Sequence, residues 1–176
     1  MINSGQSCIA AKRFIVHEKI KDEFLDACSA HLQTYQLGDP LAAETTCGPL
    51  ARKDLRDELQ HQVKESLQGG AKIHWQAEQT FERGAFFAPM VLVNIQSGQP
   101  AFEEELFGPV ASVIGFRDET QAVKIANDSF FGLGAGVFTA DLEKGEFLAK
   151  TQLEAGNVFV NSCVRSDPRM PFGGVK

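Results

Sequence analysis

"VASVIGFRDETQAVKIANDSFFGLGAGVFTA", residues 110–140, decides the fold class of this chain. It opens with a short apolar run, VASVIGF (110–116), of the kind that forms a strand buried on both faces. At Asp118 the period changes. DETQAVKIANDS (118–129) reads as a helix with Asp118 as its N-cap, and GAGVFTA (134–140) returns to strand.

The same alternation runs outward in both directions. DLEKGEFLAKTQL (141–153) is a helix and GNVFVN (156–161) a strand. Upstream, KRFIVH (12–17) is a strand, followed by a helix within 18–35 on which Ile20, Phe24, Ala27, Cys28, His31 and Leu32 recur at helical spacing. Residues 37–51 carry the Gly, Pro and Thr of a surface loop. A second helix, 52–70, aligns Leu55, Leu59, Val63 and Leu67 on one face and stops at Gly69-Gly70. AKIHWQ (71–76) and FFAPMVLVNI (86–95), the latter bent at Pro89, complete the strands. Strands alternating with helices predict an α/β domain: a three-layer, open, largely parallel sheet with helices on both faces, as one domain over 1–176.

Composition narrows the function. With 176 residues, 43% hydrophobic, the chain is long enough for one core. Its 17 basic against 23 acidic residues give a net charge of −6, with the basic residues scattered. Nucleic acid and anionic membrane are therefore poor partners. The absence of a long apolar run or an apolar leader points to a cytoplasmic protein. Cys8, Cys28, Cys47 and Cys163 lie far apart, as do the histidines, which suits free thiols and no metal site.

Three stretches carry chemistry. In INSGQSC (2–8), the polar residues Asn3, Gly5 and Gln6 crowd around Cys8. Cysteine in such a place is either a small buried hydrophobe or a nucleophile. Ser4 as the cap of a short helical turn through GQSCIAAK would put Cys8 in its first turn, where the helix dipole favours a thiolate and N–H groups could meet an oxyanion. In FEEELFGPV (102–110), Glu103 and Glu104 suit a solvated loop as well as a site, whereas Glu105 and Phe107 stand at the entrance of the 110–116 strand. In NSCVRSDPRMPFGGVK (161–176), Arg165 and Arg169 are either ordinary surface charges or a bidentate grip on a carboxylate.

Together, and in this order, these stretches resemble the aldehyde dehydrogenase superfamily. NSGQSC is similar to its N-x-G-Q-x-C nucleophile segment, EELFGPV to its E-x-F-G-P-V segment, and PFGGVK to the start of its P-F-G-G-x-K segment, with ANDSFFGLGAGVFTAD (126–141) similar to the lead-in between the last two. The resemblance implies that Cys8 attacks an aldehyde, that hydride passes to NAD or NADP, and that a thioester on Cys8 is then cleaved. It implies that the Cys8 N–H supports the oxyanion, that Glu105 holds the nicotinamide ribose hydroxyls, and that Phe107 packs beside them. Asn3, Gly5 and Gln6 would shape the loop.

The resemblance further implies a catalytic domain cut from a longer, homo-oligomeric enzyme, with Met1 the start of a piece or of a split reading frame. The cofactor-binding domain, the general base and a second oxyanion donor would lie elsewhere, and the 176 residues alone would not turn over aldehyde. The polar stretch of Ser162, Arg165, Ser166, Asp167 and Arg169 before PFGG is similar to that of bacterial succinate-semialdehyde dehydrogenases. It implies an ω-carboxylated aldehyde, succinic semialdehyde first, with Ser166 and an arginine, Arg165 or Arg169, at its carboxylate. Two alternatives remain open: an acylating enzyme that passes the acyl group to coenzyme A, and a non-catalytic binding or regulatory module. A cysteine peptidase would need an aromatic and a second cysteine around the nucleophile, and SCIAAK has neither.

Overall fold

The alternation of strand and helix is realised over residues 2–79, 81 and 83–176, which the computed structural model describes; Met1, read above as a start, lies outside the described residues. The chain divides into two compact units, residues 1–116 and 117–176.

In the first unit β1 (Arg13–His17) is followed by a 3-10 turn (Glu18–Ile20) and helix α1 (Lys21–Leu32). Helix α2 (Lys53–Gln68), strand β2 (Lys72–Gln76), strand β3 (Met90–Val93), the single turn α3 (Pro100–Glu103) and strand β4 (Val110–Phe116) complete it. The sheet order is β1-β4-β3-β2, with β4 parallel to both β1 and β3 and β2 antiparallel to β3. The antiparallel edge has a simple cause: β2 and β3 are consecutive, and the described residues between them hold no crossover helix, which a parallel pair would need. The apolar run of β4 puts Val113 and Ala111 on one face with Val16, Val91, Leu25 and Leu32 of α1. On the opposite face Leu92 and Ser112 are fully buried, so the central strands are covered on both sides.

Several helix details differ from the sequence pattern. On α1 the buried residues are Leu25, Ser29 and Leu32, whereas Ala27 and His31 are exposed and Ile20 falls in the preceding 3-10 turn, 54% exposed. On α2, Leu59 and Val63 are buried as expected, but Gln62 and Ser66 join them and Leu55 and Leu67 are only half-buried. The long 86–95 strand is reduced to Met90–Val93, because it begins only after Pro89 and ends at Asn94, which has a positive φ of 58°.

The second unit holds α4 (Glu119–Asn127), β5 (Gly134–Val137), α5 (Leu142–Thr151) and β6 (Asn157–Val160). Asp118 caps α4 by accepting from the Gln121 N–H at 2.9 Å, and Asp141 caps α5 by accepting from the Lys144 N–H at 3.0 Å. β5 and β6 are parallel, joined by α5 in a βαβ crossover. They form a two-stranded sheet within this unit, and the expected α/β class, with largely parallel strands and helices between them, is the one observed. Strand pairing is a long-range property that local periodicity does not encode.

Candidate active site

Because β1 and β4 are parallel neighbours, with Arg13 opposite Ser112, the segments that enter them arrive at the same end of the sheet. Lys12 immediately precedes β1, and Glu105 to Pro109 lead into β4. The turn holding Cys8 comes just before Lys12, so the first two chemical stretches meet at the amino ends of two adjacent strands.

The nucleophile-like turn is tightly shaped. Asn3, Ser4 and Gly5 follow one another with positive φ of 51°, 53° and 77°. Left-handed backbone is uncommon for residues with a Cβ, so three in succession must be held from outside. Asn3 Nδ2 donates to the Gln6 carbonyl at 3.0 Å, and Gln6 Nε2 returns to the Asn3 carbonyl at 3.2 Å. Ser4 Oγ donates to the Gly48 carbonyl at 2.9 Å, and Gln6 Oε1 accepts from the Ala51 N–H at 2.8 Å. Gly5 is required twice over: its φ suits glycine, and a Cβ there would lie 2.6 Å from the Gly108 carbonyl carbon. Asn3, Gly5 and Gln6 thus have the shaping contacts expected of them.

Ser4 does not cap a helix. Its hydroxyl is buried against Gly48 and accepts from the Cys47 thiol at 3.6 Å, and residues 7–10 form a turn closed by the Ala10 N–H on the Ser7 carbonyl at 3.0 Å. Cys8 is therefore exposed on a turn, outside any helix dipole. The sequence expectation of a first helical turn is corrected here, since the Gly5 contact with Gly108 and the left-handed residues before it aim the backbone away from a helix. Burial pushes the neighbouring Cys47 thiol above the usual thiol range.

The cation that reaches back to this turn is Lys12. Its Nζ donates to the Gly5 carbonyl at 3.0 Å and lies 4.6 Å from the centroid of the Phe107 ring. Burial lowers the Lys12 ammonium from its ordinary range near 10.5, while the charges of Glu105 and Cys8 act to hold its proton. One cation thus bridges the Gly5 carbonyl of the first stretch and the Phe107 ring of the second.

Helix α2 fixes the Glu105 loop from below. Gln62 Nε2 donates to Glu104 Oε2 at 2.8 Å and to the Glu105 carbonyl at 3.5 Å. Ser66 Oγ accepts from the Ala101 N–H at 2.9 Å, and Leu59 packs where a side chain at Gly108 would stand. Glu105 and Phe107 are left half-buried at the mouth of β4. Glu103, by contrast, turns to the Gly98 N–H and Ser97, which hold its carboxyl below the usual range.

The expected carboxylate-binding residues belong to the second unit. Arg165, Ser166 and Arg169 are exposed on the loop after β6. Arg169 places Nε and a terminal nitrogen on the two oxygens of Asp167 at 2.9 and 2.7 Å, and this pairing pulls Asp167 down to about 2. The Arg169 fork is occupied; Arg165 acts on Asp167 only through its charge.

Sequence reasoning missed Lys12, Ser4 as a tether, and Gln62. A signal for Lys12 was present: a cation four residues after a candidate nucleophilic cysteine, at the start of a strand. Gln62 gave none, since a glutamine on a helix reads as solvent-facing.

A model described as the aldehyde dehydrogenase family matches residues 1–176. The chain is 44% identical over 174 residues to the NAD(P)+ succinate semialdehyde dehydrogenase Sad of Escherichia coli (strain K12), which covers 99% of this chain and 37% of that protein. Its fold is similar to a succinic semialdehyde dehydrogenase from Streptococcus pyogenes in complex with NADP+, at TM-score 0.93 and 34% identity over 98% of this chain and 38% of the other. A betaine aldehyde dehydrogenase from Staphylococcus aureus in complex with NAD+ gives TM-score 0.92 and 32% identity over 99% and 35%. The chain spans 37–38% of the length of these curated semialdehyde relatives.

Proposed function

The chain belongs to the aldehyde dehydrogenase family, and from that premise we propose that the protein carrying it oxidises an aldehyde to a carboxylic acid with NAD or NADP, succinic semialdehyde to succinate being its reaction. The observation that carries the reading is the joining of the turn that exposes Cys8 to the Glu105–Phe107 loop, through Gly5 against Gly108 and through Lys12 from the Gly5 carbonyl to the Phe107 ring.

The Cys8 sulfur, as thiolate, adds to the aldehyde carbon and forms a C–S bond, and the oxygen takes the negative charge beside the Cys8 N–H. When bound, the nicotinamide supplies the two-electron acceptor for the hydride that leaves this carbon. The thioester left on Cys8 is cleaved by water, which releases the carboxylate and returns the thiol. Glu105 and Phe107 suit the nicotinamide end of such a cofactor: a half-buried carboxylate that accepts from ribose hydroxyls, and an aromatic ring two residues on that offers a flat apolar surface. Their loop is braced through Gln62, so the acceptor geometry is set before binding.

For the substrate carboxylate, Arg165 and Ser166 are the partners, because the Arg169 fork is engaged by Asp167. The similarity to a succinate semialdehyde dehydrogenase of E. coli, at 44% identity, supports a carboxylated substrate. The test is the ratio of kcat/KM for succinic semialdehyde to that for butanal in the full-length protein. Arg165→Ala should lower this ratio by about thirtyfold, the loss of one charge-assisted contact of roughly 2 kcal/mol. Arg169→Ala should move it less. An unchanged ratio in both variants would remove the basis for a carboxylated substrate.

A further inference from the structure

The polar loop after β6 is fixed to the second unit at two roots, one on each side of Arg165 and Ser166. At the near root the Asn161 side chain accepts from the Thr139 N–H and donates to the Thr139 carbonyl, both at 2.8 Å. Val164, the residue before Arg165, packs where a side chain at Gly134 of β5 would stand. At the far root the Val175 N–H donates to the Gly132 carbonyl at 3.2 Å, and a Cβ at Gly156 would lie 2.9 Å from the Gly173 carbonyl carbon.

The far root is closed by Lys176. Its Nζ donates to the Asn127 carbonyl, to the Ser129 carbonyl at 3.1 Å and to Glu154 Oε2 at 2.8 Å. Three ammonium protons thus meet three oxygens, and the side chain is 21% exposed, with its stem where a side chain at Gly132 would stand. Asn127 is the last residue of α4, so the cation also lies at the negative end of that helix. The Asn127 side chain ties the same corner together: Nδ2 donates to the Gln152 carbonyl at 2.7 Å and Oδ1 accepts from the Glu154 N–H at 3.0 Å.

We propose that Lys176 is a positioning residue of the substrate loop: it latches the far end of that loop to α4 and Glu154, and so holds Arg165 and Ser166 ready for the carboxylate of the aldehyde. The inference rests on Arg165 and Ser166 being the carboxylate's partners, and adds the group that fixes the other end of their loop. Between the roots, Asp167 bonds Arg169, and Met170 is 62% exposed, so the order of residues 165–172 depends on how the two ends are held. A span fixed at both ends has few shapes to lose when it grips a ligand. One released at an end must be ordered at each binding event, which weakens binding and leaves the chemical step alone.

The experiment is a double-mutant cycle in the full-length protein, read as kcat and KM for succinic semialdehyde and for butanal. Lys176→Met, which keeps an apolar stem, should lower the ratio of kcat/KM for succinic semialdehyde to that for butanal about tenfold, through a higher KM for succinic semialdehyde with kcat kept within about twofold. In an Arg165→Ala background the same change should lower the ratio by less than about twofold, because the partner to be positioned is gone. A purely structural lysine would affect both substrates alike. An unchanged ratio in Lys176→Met while Arg165→Ala lowers it overturns the latch and leaves the carboxylate reading standing. Equal losses in the two backgrounds overturn the latch as well. If Arg165→Ala itself leaves the ratio unchanged, the carboxylate reading loses Arg165 and the latch falls with it. Should Lys176→Met fail to fold, Glu154→Gln, which keeps both carbonyl contacts of Lys176, should lower the ratio about threefold with the same dependence on Arg165, and an unchanged ratio there overturns the latch.

Discussion

The turn at residues 3–8 and the loop at residues 165–170 both carry polar groups of the proposed reaction, and they are held in opposite ways. The first is tied to segments far along the chain: Ser4 to Gly48, Gln6 to Ala51, and Gly5 against Gly108. The second is tied to itself, with Asp167 bonded to the side chain and backbone of Arg169 and its carbonyl accepting from the Met170 N–H at 3.0 Å. Bond formation at a carbon tolerates little misplacement, and a strained turn braced by its surroundings supplies that precision. Recognition of a carboxylate tolerates more, and an exposed loop of short-range contacts can vary without disturbing the core. In the proposed function, the contrast separates a pre-set chemical part from a selecting part held by its own local contacts.

The sharpest way to break this contrast is at Cys8. Cys8→Ser should lower aldehyde oxidation by the full-length protein by at least about ten-thousandfold, as loss of a nucleophile does. The melting temperature should stay within a few degrees, since the side chain is exposed. Steady-state rates and thermal melts on the same preparation check both, and residual turnover above a hundredth of the parent's would argue for another nucleophile.

A pair of glycines gives the next largest effect. Gly5→Ala forces a left-handed residue and a methyl group against the Gly108 backbone, and should cost about 3 kcal/mol or more. Gly173→Ala meets nothing within 4 Å and should change stability by less than about 0.5 kcal/mol. Denaturant midpoints would show the difference; equal costs would mean that the nucleophile turn is no more constrained than the distal loop.

The smallest effect concerns pH in the distal loop. The Asp167 carboxyl is held down to about 2 by Arg169, below its unfolded value near 3.8. Its contribution is therefore complete above the unfolded value and lost only as pH falls through the folded one. Carboxyl NMR titration should find Asp167 ionised throughout the mildly acidic range, with Arg169→Ala returning its midpoint toward the ordinary one.

Legibility in the sequence follows the same division between local and distant contacts. Asp118 and Asp141 announce their helices because a cap bonds three residues ahead, within the window that a sequence pattern spans. VASVIGF reads as a strand for the same local reason. The burial of Gln62 and Ser66 and the true partner of Ser4 depend on contacts 35 to 44 residues apart in sequence, and the pairing of β1 with β4 on residues farther apart still, which no local period carries. Cys8, Glu105 and Phe107 stand out by motif, and Lys12 by its place four residues after the cysteine, but its contact with the Phe107 ring depends on the parallel pairing of β1 with β4.

The most direct test of the account is to quench the full-length protein during its first turnover with succinic semialdehyde and cofactor, and to map any acyl adduct by mass spectrometry. The account predicts a succinyl group on the Cys8 peptide that forms only when cofactor is present and disappears as the reaction completes. Turnover with the adduct on Cys28, Cys47 or Cys163, or with no acyl cysteine at any time, would contradict it.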